Sequence, residues 1–295
     1  MSNTTASLQR KIGSAGDLQS VVRAMKALAA SNIGQYQASV SALGDYYRTV
    51  EMGLGVCFRN SEPMANGVEP MEKTDAATIG AIVFGSDQGL VGQFNDVVAE
   101  FAVKALANLP GTTLVWAVGE RVHARLVDAG LPPAGLFTVP ISVNTITPLV
   151  GQMLVEYEAR QDRGEVTELH LFYNRPKSEA VYAPVGQRLL PLDEAWRRKL
   201  ATLPWPTKSL PEVVGGVAET LRVLIREYLF VSLFRACAES LASENASRLA
   251  AMQRAERNIN ELLESLHRSF HRLRQSNIDE ELFDVISGFE ALANP

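Results

Sequence analysis

The chain has 295 residues and a net charge of −5, with 46% hydrophobic and 21% charged residues, as in an ordinary soluble globular protein. A mildly acidic chain lacks the strongly basic face of a general nucleic-acid binder, and two distant cysteines, Cys57 and Cys237, argue against a disulfide framework or a cysteine metal cluster. The first residues lack the apolar core of a signal peptide, and no uncharged apolar stretch reaches the ~18 residues that span a bilayer. We therefore expect a soluble protein in a reducing compartment, which reaches a membrane only through partners.

Proline spacing and composition divide the chain into four parts. A polar stretch that contains Pro63 and Pro70 predicts a linker. The proline-free run from Glu212 to Asn294 leaves room for one very long helix. The predicted parts are an N-terminal coiled-coil helix, a linker, an α/β foot domain and a C-terminal coiled-coil helix with its tip, at residues 1–59, 60–75, 76–201 and 202–295.

The middle part predicts an α/β domain of Rossmann-like type. Short β-rich runs alternate with helical patterns, which is typical of a mostly parallel sheet covered by helices. The predicted strands are Thr78–Phe84, Thr113–Val118, Glu168–Tyr173 and Val181–Leu190. The predicted helices lie at Phe94–Asn108, Glu120–Ala129 and Pro148–Arg160.

Apolar residues recur every seven positions in both terminal segments. The N-terminal repeat consists of Val22, Ala29, Tyr36, Leu43 and Val50, and a companion stripe begins with Leu18 and Met25. The C-terminal repeat consists of Met252, Ile259, Leu266 and Leu273. A seven-residue apolar repeat implies a left-handed supercoil. The predicted fold class is therefore α/β, with the two terminal helices paired as a long antiparallel coiled coil and the α/β domain inserted between them.

The lengths of the two helices decide what each one covers. About 80 residues at ~1.5 Å each extend roughly 120 Å, whereas a domain of this size is only ~30 Å across, so the two ends must cover each other. The shorter N-terminal helix leaves the last turns of its partner uncovered, and those turns are apolar. This predicts that the tip lies inside a partner protein. Its apolar residues are Ile278, Leu282, Phe283, Val285, Ile286, Phe289 and Leu292.

The pairing also predicts where the cysteines lie. In the expected antiparallel register, Cys237 is opposite the late twenties of the N-terminal helix. That places it roughly 40 Å from Cys57, at ~1.5 Å per residue.

Motifs for catalysis or cofactor binding are weak. The segment FGSDQGLVGQFN (Phe84–Asn95) follows a predicted strand and precedes a helix, where a glycine-rich turn can hold phosphate. Its spacing is not G-x-G-x-x-G and no G-K-[ST] occurs, so we expect its glycines to shape a tight turn. His267 and His271 have metal-compatible spacing but arginine neighbours, which favours a solvated basic face. We predict no catalytic residue, metal or cofactor.

The charged residues of the terminal helices allow two interpretations. Arginines and glutamates alternate along the C-terminal helix, as on a solvated face with ion pairs four residues apart. Alternatively, the guanidinium groups face carboxylates of a surrounding partner. By position and charge, Arg254 and Arg257 are candidates for such contacts.

Four segments, in order over nearly the whole chain, resemble the gamma-subunit family of rotary ATP synthases. They are LQRKIGSAGDLQSVVRAMKALAAS (Leu8–Ser31), FGSDQGLVGQFN, YLFVSLFRACAESLASENASRLAAMQRAERN (Tyr228–Asn258) and IDEELFDVISGFEAL (Ile278–Leu292). The chain departs from the family in three places. NIGQYQ (Asn32–Gln37) replaces the usual basic cluster, Asn245 replaces the familiar histidine, and IDEE replaces I-T-x-E. These departures indicate a divergent branch.

The resemblance implies a rotor, or central stalk, that couples transmembrane ion flow to ATP synthesis or hydrolysis by rotation. In this family the coiled coil is inserted into a ring of three alpha and three beta subunits, with its tip in an apolar sleeve. The α/β domain is the foot, against the epsilon subunit and the membrane c-ring. The chain would be peripheral on the cytoplasmic face of a bacterial inner membrane, with no catalytic site of its own and no nucleic-acid partner.

Three positions match contact residues of the family. Met25 matches the methionine of its x-A-M motif, near the rotor–stator contact, and Arg274 and Gln275 match an Arg-Gln pair that hydrogen-bonds to a loop of the catalytic subunit. The predicted partner-contact residues are Met25, Arg254, Arg257, Arg274, Gln275, Ile278, Leu282, Phe283, Ile286 and Phe289. Two other functions stay open: a helical adaptor that bridges partners through its coiled coil, and a Rossmann-like enzyme with helical extensions, which the missing fingerprint disfavours.

Overall fold

The computed structural model describes residues 4–60, 78–177, 182–209 and 211–293, with side chains as far as residue 287. Most of the predicted linker at 60–75 lies outside these ranges. The helices are α1 Thr5–Asn60, α2 Phe94–Ala107, α3 Glu120–Asp128, α4 Ile146–Asp162, α5 Glu194–Ala201 and α6 Val217–Ala293, with a short 3-10 turn at Val143–Thr145. The strands are β1 Thr78–Phe84, β2 Thr112–Val118, β3 Gly135–Phe137, β4 Glu168–Arg175 and β5 Ala183–Leu190.

The chain forms two compact units. The first, called the stalk unit here, combines Met1–Ala29 with Arg248–Pro295. The second, the foot unit, is Ala30–Ser247 and contains the sheet together with the parts of α1 and α6 that pack on it.

The foot unit is built on a five-stranded sheet with the order β3-β2-β1-β4-β5. β1 pairs in parallel with β2 and with β4, β2 pairs in parallel with β3, and β5 closes the edge antiparallel to β4. The chain moves outward from β1 to β2 and β3, and then returns to place β4 on the other side of β1. The strand order therefore reverses between β1 and β4, which is the point where α/β sheets usually bind ligands.

Both faces of the sheet are covered. α2 and α3 cover one face, where Val98, Val122 and Leu126 are fully buried against the strands. α4 and the foot-unit parts of α1 and α6 cover the other, where Leu54 and Met153 belong to the larger core. Coverage on both faces explains why β1 is a continuous apolar run with six of its seven residues buried.

Within the foot unit, α1 and α6 run antiparallel. Asn32 Nδ2 donates to Asn245 Oδ1 at 3.4 Å, and Tyr46 Oη donates to Glu227 Oε2 at 2.6 Å. Cys237 lies between Glu227 and Asn245 along α6, so it is level with a part of α1 between Tyr46 and Asn32. The predicted position opposite the late twenties is therefore wrong. If one helix is shifted along the other by seven residues, its apolar repeat again faces the apolar repeat of its partner. Periodicity alone therefore does not set the register.

The stalk unit is a two-helix seam. Leu8, Ala15, Val22 and Ala29 are buried at seven-residue spacing on α1, and Met252 and Ile259 are buried on α6. Tyr36 and Val50 continue the α1 repeat as buried residues in the foot unit, and Leu43 packs partly buried there. The predicted seven-residue repeat of α1 is confirmed and extends two positions further toward the N-terminus. Leu18, predicted to start a companion stripe, is instead 53% exposed.

The fold class is as predicted, but some elements differ. α6 begins at Val217 rather than near Glu212, because Gly215 and Gly216 adopt φ of 90° and 106°, outside the helical region. β3 and α5 are additional elements. In the described part of the chain, no helix is long and apolar enough to cross a membrane.

Candidate partner-binding surface

One carboxylate of α6, that of Glu256, pairs with two cations of α1 across the seam of the stalk unit; we call this arrangement the clasp. Glu256 Oε1 accepts from Arg23 Nε at 3.1 Å, and its Oε2 accepts from Lys26 Nζ at 2.5 Å. Hydrogen bonds from Lys26 and then from Arg23 hold the pKa of Glu256 below its usual range. A turn away, Gln19 Nε2 donates to Asn260 Oδ1. These polar contacts join α1 to α6 across the seam, rather than linking residues four apart on one helix.

Met25 packs into this seam. Its side chain is half-buried against the cluster of Val22, Met252 and Ile259. The side chain therefore has one flank on the seam and one flank toward solvent. A partner would reach Met25 only at its outer flank.

The predicted polar contact residues all lie on the solvent side of α6. Arg254, Arg257, Arg274 and Gln275 are exposed. Within the described residues, none of the three arginines forms an ion pair with this chain's own carboxylates. Their guanidinium groups are thus presented as planar donors that fit carboxylates or carbonyl groups of another molecule.

The seam ends before α6 does. Ile259 is buried and Leu266 and Leu273 are half-buried, whereas every described side chain from Arg274 onward, residues 274–287, is exposed. Four of the exposed side chains share one helical face with spacings of four, three and one: Ile278, Leu282, Val285 and Ile286, with exposures of 52%, 57%, 69% and 45%. Phe283 is exposed on the adjoining face, and the side chain of Phe289 lies outside the described residues. We call residues 274–287 the tip.

The glycine-rich turn after β1 is filled by the protein's own polar groups. Asn95 Oδ1 accepts from Ser86 N at 2.9 Å, and Asn95 Nδ2 donates to Ser86 Oγ at 2.9 Å. Asp87 accepts from Glu120 N at the start of α3 and from Val139 N, at 3.0 and 2.9 Å. The carboxylate of Asp87 thus lies at the N-terminus of α3, where a helix dipole favours a negative charge. Two glycines of the glycine-rich segment shape a tight turn, as predicted: Gly92 has φ of 60°, and a Cβ on Gly85 would overlap Val122.

The crevice between β1 and β4, where the strand order reverses (the switch point), is also closed by this chain's own side chains. Ser247 Oγ donates to Val91 O, and Asn174 Nδ2 donates to Phe94 O at 2.9 Å. The ring of Tyr182 packs edge-on against Phe94, with centroids 5.3 Å apart. A dinucleotide would have to displace the Ser247–Val91 hydrogen bond and the ring of Tyr182 to reach the crevice.

Among the described residues, His267 and His271 belong to no cluster of three or more metal-ligating side chains. Their rings stack 6.5 Å apart on an exposed face of α6.

Comparison with known proteins identifies the family. A sequence profile described as ATP synthase matches residues 4–292, which is nearly the whole chain. The chain belongs to the ATP synthase family. Among its curated relatives is the ATP synthase gamma chain of Moorella thermoacetica, which is 28% identical over 286 residues, covering 97% of this chain and 98% of the relative.

Solved ATP synthase structures share the fold. This chain superposes on a chain of the Euglena gracilis mitochondrial ATP synthase rotor with a TM-score of 0.61, at 13% identity over 93% of this chain and 98% of that one. A chain from the OSCP/F1/c-ring assembly of the same enzyme gives a TM-score of 0.65, at 14% identity over 98% and 94%. The resemblance to the gamma-subunit family is therefore confirmed, and the fold is that of ATP synthase central stalks.

Sequence patterns find the exposed members of this surface but miss the contacts that organise it. The arginines and the apolar tip are evident from residue type and spacing. The clasp at Glu256 is missed, because its partners are more than 200 positions away and charged residues in a helix suggest neighbours on the same helix first. Paired basic and acidic residues beside matching seam positions would have indicated it.

Proposed function

We propose that this chain is the rotor of an F-type ATP synthase, the gamma subunit of its central stalk. It couples transmembrane ion flow to ATP synthesis or hydrolysis in a hexamer of three alpha and three beta subunits by rotating inside it. The observation that supports this proposal most directly is the exposed apolar face of the tip. Four apolar side chains at about half exposure or more share one face of α6, past the end of the seam. A monomer rarely keeps such a stripe in water, whereas an apolar sleeve would bury it.

The polar contact residues have distinct roles in this proposal. Arg274 and Gln275, at the base of the tip, hydrogen-bond to a loop of a catalytic subunit. Arg254 and Arg257 lie earlier in α6, before the tip, and face carboxylates of the ring. Met25 touches the stationary subunits with its outer flank while its inner flank keeps the seam closed. The stalk favours one conformation of each catalytic subunit, according to which side of the stalk that subunit meets.

The foot unit binds the epsilon subunit and the membrane c-ring, and it places the chain at the cytoplasmic face of a bacterial inner membrane. Membrane attachment is then indirect, through these partners. The chain adds no catalytic group of its own. The internal bonds of Ser86 and Asn95 support this, because these polar groups of the glycine-rich turn after β1 already pair with each other.

The test asks which subunits co-purify with this chain and whether their retention depends on the tip. The complex is purified through a tag on this chain and weighed by native mass spectrometry, for the natural sequence and for Leu282→Asp. We expect three alpha and three beta subunits with the natural chain and weakened retention of that hexamer with the variant, since a charge would enter an apolar sleeve. Val127→Asp, at an exposed apolar position on α3 in the foot, is the matched control and should retain the hexamer.

The results that contradict the proposal are specific. Stoichiometric ATP hydrolysis by the pure chain would show a catalytic site of its own. A complex that forms without alpha and beta subunits would instead favour the helical adaptor.

A further inference from the structure

A small cavity opens beside the closed switch point of the foot unit. Its volume is about 200 Å³, and it is lined by Gln37, Val40, Arg175, Pro176, Glu239 and Ala242. Three elements therefore meet at it: α1, the carboxyl end of β4, and α6. The carboxyl ends of parallel strands at a strand-order reversal are where α/β sheets bind ligands. The cavity is too small for a dinucleotide, whose sites usually exceed ~300 Å³.

Positive charge is in excess at this cavity. Glu239 is buried, and its two oxygens each accept from one arginine: Oε2 from Arg175 Nε and Oε1 from Arg235 Nε, both at 2.8 Å. Burial alone would raise the pKa of Glu239, but the hydrogen bonds from Arg235 and Arg175 hold it below its usual range, so the group is ionised. Two guanidinium groups thus share one carboxylate. The next carboxylate, Glu51, interacts with Arg235 and also with Lys199, so the group as a whole keeps one net positive charge.

Donors are available at the cavity wall. In the described part of the chain, Arg175 donates to side chains through Nε, to Glu239, and through Nη2, to the hydroxyl of Tyr173. A guanidinium carries five N–H groups in a planar fork, so the group has donors beyond these two. Gln37, an exposed residue on α1, contributes an amide to the opposite wall. Val40, Pro176 and Ala242 complete the lining and keep it narrow.

We propose that this cavity binds a phosphate-sized oxyanion. The anion neutralises the charge excess of the Arg175–Glu239–Arg235 group and accepts hydrogen bonds from Arg175 and from the amide of Gln37. It thereby ties α1 to the end of β4 and to α6 within the foot unit. The site uses none of the partner-contact residues, so it stands or falls independently of the rotor function.

The test measures binding of inorganic phosphate to the full chain by titration calorimetry. The ionic strength is kept constant, with chloride as the balancing anion. The variant is Gln37→Glu, which puts a carboxylate on the cavity wall without touching the arginine–glutamate bonds. Gln152→Glu, at an exposed position on α4, adds the same charge away from the cavity and is the matched control. Adenosine monophosphate and adenosine form two further arms, which distinguish free phosphate from the phosphate group of a nucleotide.

We expect phosphate to bind the natural chain and the Gln152→Glu control alike, and to bind Gln37→Glu at least tenfold more weakly. Binding of phosphate without the nucleotide assigns the site to a free anion, and tighter binding of the nucleotide than of adenosine assigns it to a nucleotide phosphate. The proposal is overturned if the natural chain binds no phosphate at millimolar concentration, or if Gln37→Glu and Gln152→Glu bind it equally.

Discussion

At Glu256, a single carboxylate of α6 accepts from two cations of α1, and only the folded seam brings them together. Because these bonds lower the pKa of Glu256 from an ordinary value of 4.5, they stabilise the folded state above pH 4.5. The stabilisation disappears as the pH falls through the lowered pKa. High salt weakens it as well, since Arg23 is largely exposed.

We therefore predict that Glu256→Gln lowers the melting temperature of the chain at pH 7 and reduces its dependence on salt. The difference between the variant and the natural chain should shrink as the pH falls below 4.5 and through the lowered pKa of Glu256, because the natural carboxylate then becomes protonated as well. Circular dichroism melts over a pH series measure this. Glu261→Gln, at an exposed position on the same helix, is the control; an equal change in both variants would contradict the clasp.

Arg274 carries the clearest test of a single partner contact. Arg274→Ala should leave assembly intact but lower coupled turnover about tenfold, the effect of one lost charge-assisted hydrogen bond worth ~1.5 kcal/mol. The measurement is ATP-driven ion pumping by the assembled complex in vesicles. Arg272→Ala, also exposed and two positions away on another face of α6, should pump normally. Unchanged pumping by the Arg274 variant would remove this residue from the proposed contact.

Residue type and spacing predict some of these positions and not others. Val22, Ala29 and Tyr36 are found from a seven-residue repeat, because burial in a seam acts on every turn alike. The pairs Asn32–Asn245 and Arg23–Glu256 cannot be found this way. Each depends on which turn of α6 faces which turn of α1, and an apolar repeat leaves that choice open.

Among the elements, α5 packs across the end of α1 more tightly than its length suggests. A Cβ on Gly55 would lie 2.5 Å from the carbonyl oxygen of Leu200, and the ring of Trp196 lies 4.9 Å from that of Tyr228 on α6. Gly55 therefore has to be a glycine for α5 to sit there. The fully buried side chain of Leu200 fixes the other side of the contact.

We predict that Gly55→Ala destabilises the chain by about 1–3 kcal/mol, because α5 must move away from α1. Gly44→Ala is the matched control on the same helix, with nothing within 4 Å of the added Cβ. It should stabilise by about 0.5–1 kcal/mol, since alanine favours a helix more than glycine does. Denaturant unfolding compares the two. Equal signs for both substitutions would contradict the described packing of α5.

The strands and helices also show which secondary-structure elements hydrophobic patterns in the sequence can predict. β1, β2 and β4 are predicted to within a few residues, because each is an apolar run flanked by polar or turn residues. β3 has three residues and, among the described strands, pairs with β2 alone, so it carries no recognisable hydrophobic pattern. α5 was hidden by the prolines around it, although Asp193 caps it by accepting from Ala195 N at 3.2 Å.

For the whole molecule, helix lengths and the apolar tip predict a stalk that needs a sleeve, and four sequence motifs predict which family supplies it. The family is confirmed over residues 4–292. The foot domain illustrates why such an inference needs a structure. Its strand order is that of ligand-binding α/β sheets, yet Ser247 and Tyr182 fill the crevice that a nucleotide would use. The strand order alone would therefore have suggested a ligand site at a crevice that the chain's own side chains fill.

Rotation is the central claim, and it is directly observable. Cys57 and Cys237 are both buried, so a cysteine introduced at the exposed Val127 on α3 provides a selective attachment point for a bead or gold particle. The complex is fixed to glass through its beta subunits and supplied with ATP. The account predicts steady rotation of the particle in one direction, in steps of one third of a turn, as three catalytic sites act in sequence. Continued ATP hydrolysis by the same complexes with a particle that never rotates would contradict it.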